Sequence, residues 1–329
     1  MKRVDIGGNL FYNGDCVDGM RRHVPDGSVD LIVTDPPYGI DGDKLHRHYH
    51  RDERFVVDGY VEVPKARYGD FTHQWIREAA RVLRPGGQIY VVSGYTNLYH
   101  VLDALRGVGL REINHIIWKY NFGVYTTRKY ISSHYHILYY EKPGGGRARR
   151  TFNHACIFGP TEKGQDGSSL NYRDREDVWV INREYKPGKE KNKNELPTAL
   201  LMKMVLYSSD VGGLVCDPFM GGFSTARVAI GLDRRFVGFE LSDGIFSRRV
   251  REMGSVQVGG LLRCVRRPKG KAPRNERRKW TVGERAALVR SYNRSRKRGL
   301  SKAMTMRQLE KDFGRGRFAI LNALAKEGL

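Results

Sequence analysis

Short apolar runs alternate with amphipathic stretches along most of the chain, and each run ends where turn-forming residues begin. Leu10-Phe11-Tyr12, Leu31-Ile32-Val33, Gln88 to Val92, Ile113 to Trp118 and Tyr135 to Tyr140 read as strands. Stretches after Cys16, from Trp75 to Leu83 and from Leu98 to Leu105 read as helices, and Arg84-Pro85-Gly86-Gly87 reads as a helix stop and turn. The strand runs are continuous rather than strictly alternating, the pattern of a parallel sheet covered by helices on both faces. An α/β fold follows. Residues 41–70 and 143–176 break the rhythm and read as long loops; His46, His48 and His50 in the first have spacing that a metal could use, but no nearby cysteine joins them.

At 329 residues and 40% hydrophobic content, the chain can bury one large domain and something smaller. No apolar run reaches a membrane-spanning length, and Met1-Lys2-Arg3-Val4-Asp5 opens without a signal-peptide core. Cys16, Cys156, Cys216 and Cys264 are widely spaced, which favours a reducing, cytoplasmic setting over a disulfide framework. The formal net charge is +22, a field that attracts polyanions. Most of it is local, since residues 265–329 hold 20 Lys+Arg against 5 Asp+Glu. On so basic a chain, the two irregular loops are candidate DNA-contacting segments.

Two strand ends carry chemistry. After Val29 to Thr34 comes Asp35-Pro36-Pro37-Tyr38; two prolines cannot donate to a sheet ladder, so the chain leaves the sheet with an acid, free carbonyls and an aromatic face together. Those groups suit an exocyclic amine on a nucleobase, with acceptors for its N–H bonds and a ring to stack on. A plain loop after a strand is the alternative. Further on, Leu214 to Asp217 turns through Pro218-Phe219-Met220-Gly221-Gly222-Phe223-Ser224-Thr225 into a helix, where glycine permits close backbone approach to a ligand. Glu240, ending the next strand, can grip a ribose. Neither G-x-G-x-x-G nor a phosphate loop is present, which leaves a nucleoside ligand without pyrophosphate, such as S-adenosyl-L-methionine.

The two corners together resemble the β-class of amino-methylating DNA methyltransferases, in which D-P-P-Y precedes D-P-F-x-G-x-G. The resemblance covers about residues 4–255 and rests also on Asn13-Gly14-Asp15-Cys16, Arg81 to Gly87 and Phe236-Val237-Gly238-Phe239-Glu240. It implies a Rossmann-like seven-stranded methyltransferase sheet over residues 1–262. By the resemblance, Asp35, Pro36, Pro37 and Tyr38 are catalytic, with Asp35 and the Pro36 carbonyl holding the amine and Tyr38 stacking on the base. Asp15, Cys16, Thr198, Asp217, Phe219, Gly221, Ser224 and Glu240 would bind the cofactor. The family's H-P-T-x-K-P reads here as Leu196-Pro197-Thr198 without the His or Lys, and its G-S-G-T-T reads Gly221-Gly222-Phe223-Ser224-Thr225. D-P-P-Y is more typical of adenine-N6 enzymes; cytosine-N4 methylation, an RNA substrate and a catalytically idle DNA-binding regulator are the alternatives. Methylation at cytosine carbon 5 is disfavoured, since no Pro-Cys dipeptide occurs. The expected partner is DNA, not a membrane, while a homodimer and a partner restriction nuclease stay open.

Beyond a basic linker over 263–279, residues 280–329 read as a small basic helical unit. Thr281-Val282-Gly283-Glu284 is a capping-box signature, Thr305 is placed to cap a second helix, and Gly314 separates it from a third run carrying Ile320, Leu321 and Leu324. Helix, glycine turn and helix suggest a helix-turn-helix, with Arg315, Arg317 and Asn322 as candidate groove residues. A basic appendage ordered only on DNA is the rival reading.

Overall fold

The apolar runs become neighbours in one sheet. In this computed structural model residues 1–39, 63–121, 123, 125–144, 150–184, 195–266, 268, 275 and 278–329 are described, so most of the 41–70 segment, with its three histidines, lies outside them. The strands are β1 (Lys2–Ile6), β2 (Asn9–Asn13), β3 (Val29–Thr34), β4 (Leu83–Ser93), β5 (Arg111–Lys119), β6 (His134–Glu141), β7 (Val178–Val180), β8 (Leu214–Asp217) and β9 (Arg235–Glu240). They lie in the order β1-β2-β9-β8-β3-β4-β6-β5-β7. From β2 to β4 neighbours run parallel, and β6 is antiparallel to both β4 and β5. The expected sheet had seven strands; here β1 adds an antiparallel edge on one side and short β7 a parallel edge on the other.

Helices cover both faces. α1 (Cys16–His23), α2 (Tyr68–Val82) and α3 (Leu98–Gly107) bury Met20, Trp75, Ile76, Ala79, Val101 and Leu105 against Ile32, Ile89, Val91, Cys216 and Phe239. α2 starts a full turn and more before Trp75, because Tyr68 and Thr72 extend the same buried face upstream. The helices α4 (Leu170–Asp174), α5 (Thr198–Ser208), α6 (Ser224–Gly231) and α7 (Asp243–Met253) follow in the chain. On the opposite face Phe11 packs on Phe223 and Phe236, with ring centroids 5.7 Å apart in each pair. The Arg84 to Gly87 turn is present but sits inside the span of β4: Leu83 pairs with Val29 and Gln88 with Leu31, so the four residues between loop out of the ladder.

The chain divides into two compact units: 1–153 with 176–265, which hold the sheet, and 154–175 with 266–329. The sequence placed 143–176 as a loop of the sheet domain, whereas 154–175 packs with the C-terminal residues. Arg266 explains the grouping: it donates to the Ile157 carbonyl at 2.8 Å and to the Glu162 carboxylate, and its guanidinium lies 4.3 Å from the Phe158 ring centre. In this unit α8 (Val282–Lys297), α9 (Lys302–Phe313) and α10 (Arg317–Lys326) close a small core of Leu288, Met306, Leu309, Ile320, Ala323 and Leu324. Thr281 and Glu284 form the expected capping box. α9 begins earlier than Thr305, because Ser301 accepts from the Met304 N–H and caps it there. Among the described residues, no helix is long and apolar enough to cross a membrane.

Candidate active site

β3 and β8 are adjacent parallel strands, so the two corners that leave their carboxyl ends are neighbours by construction. Thr34, the last residue of β3, donates to Asp217 Oδ1 at 2.8 Å and ties the strand ends together. One cavity opens there. Asp15, Cys16, Asp35, Pro36, Pro37, Tyr38, Asp217, Phe219, Gly221, Ser224 and Glu240 all line it, together with Glu195, Leu196, Leu241 and Ile245.

The acid-proline corner is held from two sides. The Tyr38 hydroxyl donates to Asp35 Oδ1 at 2.6 Å, and Asn97 Nδ2 donates to the carbonyls of Tyr38 at 2.6 Å and Gly39 at 3.0 Å. Gly39 has φ of +62°, and a Cβ there would meet the Tyr68 ring at 2.3 Å, so the chain can turn away from the corner only with glycine. Loss of solvent pushes the Asp35 carboxyl up to about 7; the Tyr38 hydroxyl and the charge of Arg183 oppose that rise, and Asp217 adds to it. Asp35 is thus poised to hold or release a proton near neutral pH.

The glycine corner is organised by carboxylates. Glu240 Oε2 accepts from the Gly221 N–H at 2.9 Å and Oε1 from the Ser242 N–H at 2.8 Å, while Asp217 Oδ1 accepts from the Phe219 N–H at 3.0 Å. Desolvation raises Glu240 to about 7 and Asp217 to about 6. Gly221 adopts φ of +46°, and Phe223 follows at +61°, a left-handed conformation uncommon for an aromatic residue. Phe223 stands where the D-P-F-x-G-x-G pattern has its last glycine, and it keeps that backbone because its ring is buried between Phe11 and Phe246. Asp15 caps α1 by accepting from Val17 and Asp18 N–H, and burial pushes the Cys16 thiol up, away from any role as a thiolate.

Two expected residues are placed elsewhere. Thr198 does not reach the cavity: Pro197 starts α5, so Thr198 sits in its first turn, its N–H donating to Glu184 Oε1 at 2.7 Å, and Glu195 and Leu196 line the wall instead. Arg315 is not a groove residue. It is 3% exposed, donates to the carbonyls of Asn275, Arg278 and Lys279 and to Glu284 Oε2, and lies 4.1 Å from the centre of the Trp280 ring. Arg317 and Asn322 are exposed on α10. Asn97 and Thr34 were missed, since each reaches the corners through strand pairing or a separate loop and no local motif marks it. Among the described residues, no cluster of His, Cys, Asp or Glu is arranged to hold a metal.

The sheet order, with D-P-P-Y and D-P-F-M-G-G corners on one cavity, defines a Rossmann-like methyltransferase fold. Residues 29–249 match the family model described as N6_N4_Mtase, DNA methylase, and the chain belongs to that family of amino-methyltransferases, which uses S-adenosyl-L-methionine. It is similar to the type II methyltransferase M.HinfI of Haemophilus influenzae, 26% identical over 267 residues that cover 74% of this chain and 69% of the relative. With the type II methyltransferase M.HpaI of Haemophilus parainfluenzae it shares 28% identity over 224 residues, 67% of each chain. A solved structure of TTHA0409 from Thermus thermophilus, complexed with S-adenosyl-L-methionine, superposes with a TM-score of 0.52 at 23% identity, covering 77% of this chain and 96% of that one.

Proposed function

We propose that this chain methylates adenine at N6 in DNA, with S-adenosyl-L-methionine held in the cavity between the two corners. The observation that carries the reading is the meeting of both motifs on one cavity, fastened by the Thr34–Asp217 hydrogen bond. The donor set fits the cofactor: Glu240 offers a carboxylate to ribose hydroxyls, Asp15 offers one near α1, and Phe219, Leu241 and Ile245 supply apolar walls. When bound, S-adenosyl-L-methionine supplies an electrophilic sulfonium methyl. The D-P-P-Y corner faces the other reactant. An aromatic amine is a poor nucleophile because its lone pair is delocalised; Asp35 and the Pro36 carbonyl, accepting its two N–H bonds, favour a pyramidal nitrogen with the lone pair available. Asp35, raised to about 7, can then take the proton that the methylated nitrogen sheds. D-P-P-Y, rather than S-P-P-Y, supports adenine.

The second unit supports a DNA substrate. We read α9, the Gly314 turn and α10 as a helix-turn-helix, with Arg317 and Asn322 exposed at the second helix. We assign those two residues to groove contacts.

Incubation with methyl-labelled S-adenosyl-L-methionine and DNA, followed by digestion to nucleosides, tests the reading. Label in the N6-methyladenine nucleoside is the expected product. Label in the N4-methylcytosine nucleoside would transfer the assignment to cytosine, and no labelled nucleoside on any DNA would overturn it.

A further inference from the structure

A wall of aromatic rings stands beside the acid-proline corner and encloses one arginine. β6 is antiparallel to β4, so its first residues lie at the same sheet edge as the carboxyl ends of β3 and β4; β5 and β7 end at that edge too. Tyr135 pairs with Trp118 across β6 and β5, and Trp118 Nε1 donates to the Ile181 carbonyl at 2.8 Å, anchoring the segment after β7. Two residues further on, the Arg183 guanidinium lies 5.7, 5.0 and 5.4 Å from the ring centres of Trp118, Tyr120 and Tyr135. The three rings pack on one another with centroids 5.5 to 5.7 Å apart. Tyr135 in turn touches Tyr38, with centroids 5.7 Å apart, and Tyr38 donates to Asp35. Such a box fixes a cation in direction and place, because each ring face attracts it.

We propose that Arg183 is a positioning residue for methyl transfer: clamped by Trp118, Tyr120 and Tyr135, it braces the Tyr135–Tyr38 contact and sets a fixed positive charge beside the acid-proline corner. The proposal rests on the functional reading given above. It answers a physical problem of that reading, since a carboxyl largely surrounded by protein tends to stay protonated and a protonated Asp35 loses acceptor capacity. The groups acting on Asp35 are Tyr38 from its own corner, Asp217 from the end of β8, Tyr135 from β6 and Arg183. Asp217 works against ionisation, and Arg183 is the only cation among those described groups. The Arg183 guanidinium over the Tyr135 ring couples its placement to the ring that meets Tyr38.

The test is a carboxyl titration of the full chain labelled with 13C-aspartate, the Asp35 signal being identified by its loss in Asp35→Asn. Arg183→Met keeps an apolar, polarisable stem against the rings and removes the charge. Its Asp35 midpoint is expected to rise by about one pH unit, while Arg183→Lys stays near wild type. Methyl transfer at pH 6.5 by Arg183→Met should fall about tenfold and recover at pH 9, a pH dependence that simple loss of packing would not produce. If the Met variant does not fold, Arg183→Gln serves the same reading. An Asp35 midpoint unchanged by loss of the charge overturns the proposal. The titration needs neither DNA nor turnover: a wild-type chain that transfers no methyl group while its Asp35 midpoint still follows Arg183 would reject the functional reading and leave the coupling standing.

Discussion

On the proposed reading Asp35 accepts hydrogen bonds in a place that disfavours its charge, and the two demands have separate consequences. Asp35→Asn removes the anionic acceptor and the proton sink, so methyl transfer should fall by about 100-fold or more with cofactor affinity unchanged; equal transfer by the variant would remove Asp35 from its role. Stability responds in the opposite sense. The folded-state value, about 7 against an ordinary 3.8, means the folded form binds the proton more tightly, so this group's contribution to stability is lost as pH rises from about 4 to about 7. Asp35→Asn should therefore raise Tm at pH 8 and leave it unchanged at pH 4, as calorimetry at the two pH values would show. Glu240→Gln loses the charge offered to a ribose and should weaken cofactor binding about tenfold, measurable by titration calorimetry. Phe223→Gly relieves a left-handed backbone worth about 1–2 kcal/mol but gives up burial worth about 3–5 kcal/mol, so the net result is destabilisation by denaturant melt.

At the scale of elements, α1 carries Asp15 and Cys16 to the cavity and depends on a close approach to β9. A Cβ on Gly19 would meet the buried Phe239 ring at 2.3 Å. Gly19→Ala should therefore cost about 1–3 kcal/mol and weaken cofactor binding as α1 is pushed outward; wild-type affinity in the variant would show that the helix position is unimportant. Much of this architecture was readable in the chain. The strands showed because buried parallel strands are uninterrupted apolar runs, and both corners showed because proline and glycine leave signatures in single residues. Thr198 and Arg315 were not readable, because whether a residue beside a motif faces a cavity depends on where a helix starts or what a cation finds to pair with. Asn97 and Arg183 carry no motif at all; their roles arise only when β4, β6 and the segment after β7 are brought to one edge. The start of α9 was misplaced because Ser301 and Thr305 are equally good caps in isolation, and in the fold Thr305 is buried within the helix while Ser301 accepts from the Met304 N–H and caps it.

For the molecule as a whole, charge and fold divide the work. The sheet unit supplies the cavity, and the second unit concentrates positive charge around a small apolar core. Replacing Arg317 and Asn322 together by Ala should reduce DNA affinity about tenfold or more while cofactor affinity stays at its wild-type value, a contrast that fluorescence anisotropy and calorimetry on one preparation would reveal. The central claim is that donor and acceptor meet at the joined ends of β3 and β8. A crystal structure of the chain with S-adenosyl-L-methionine bound measures it most directly. The account predicts the ribose on Glu240 and the sulfonium methyl directed toward Asp35 and Pro36; a cofactor bound outside this cavity, or with its methyl turned away from that corner, would contradict it.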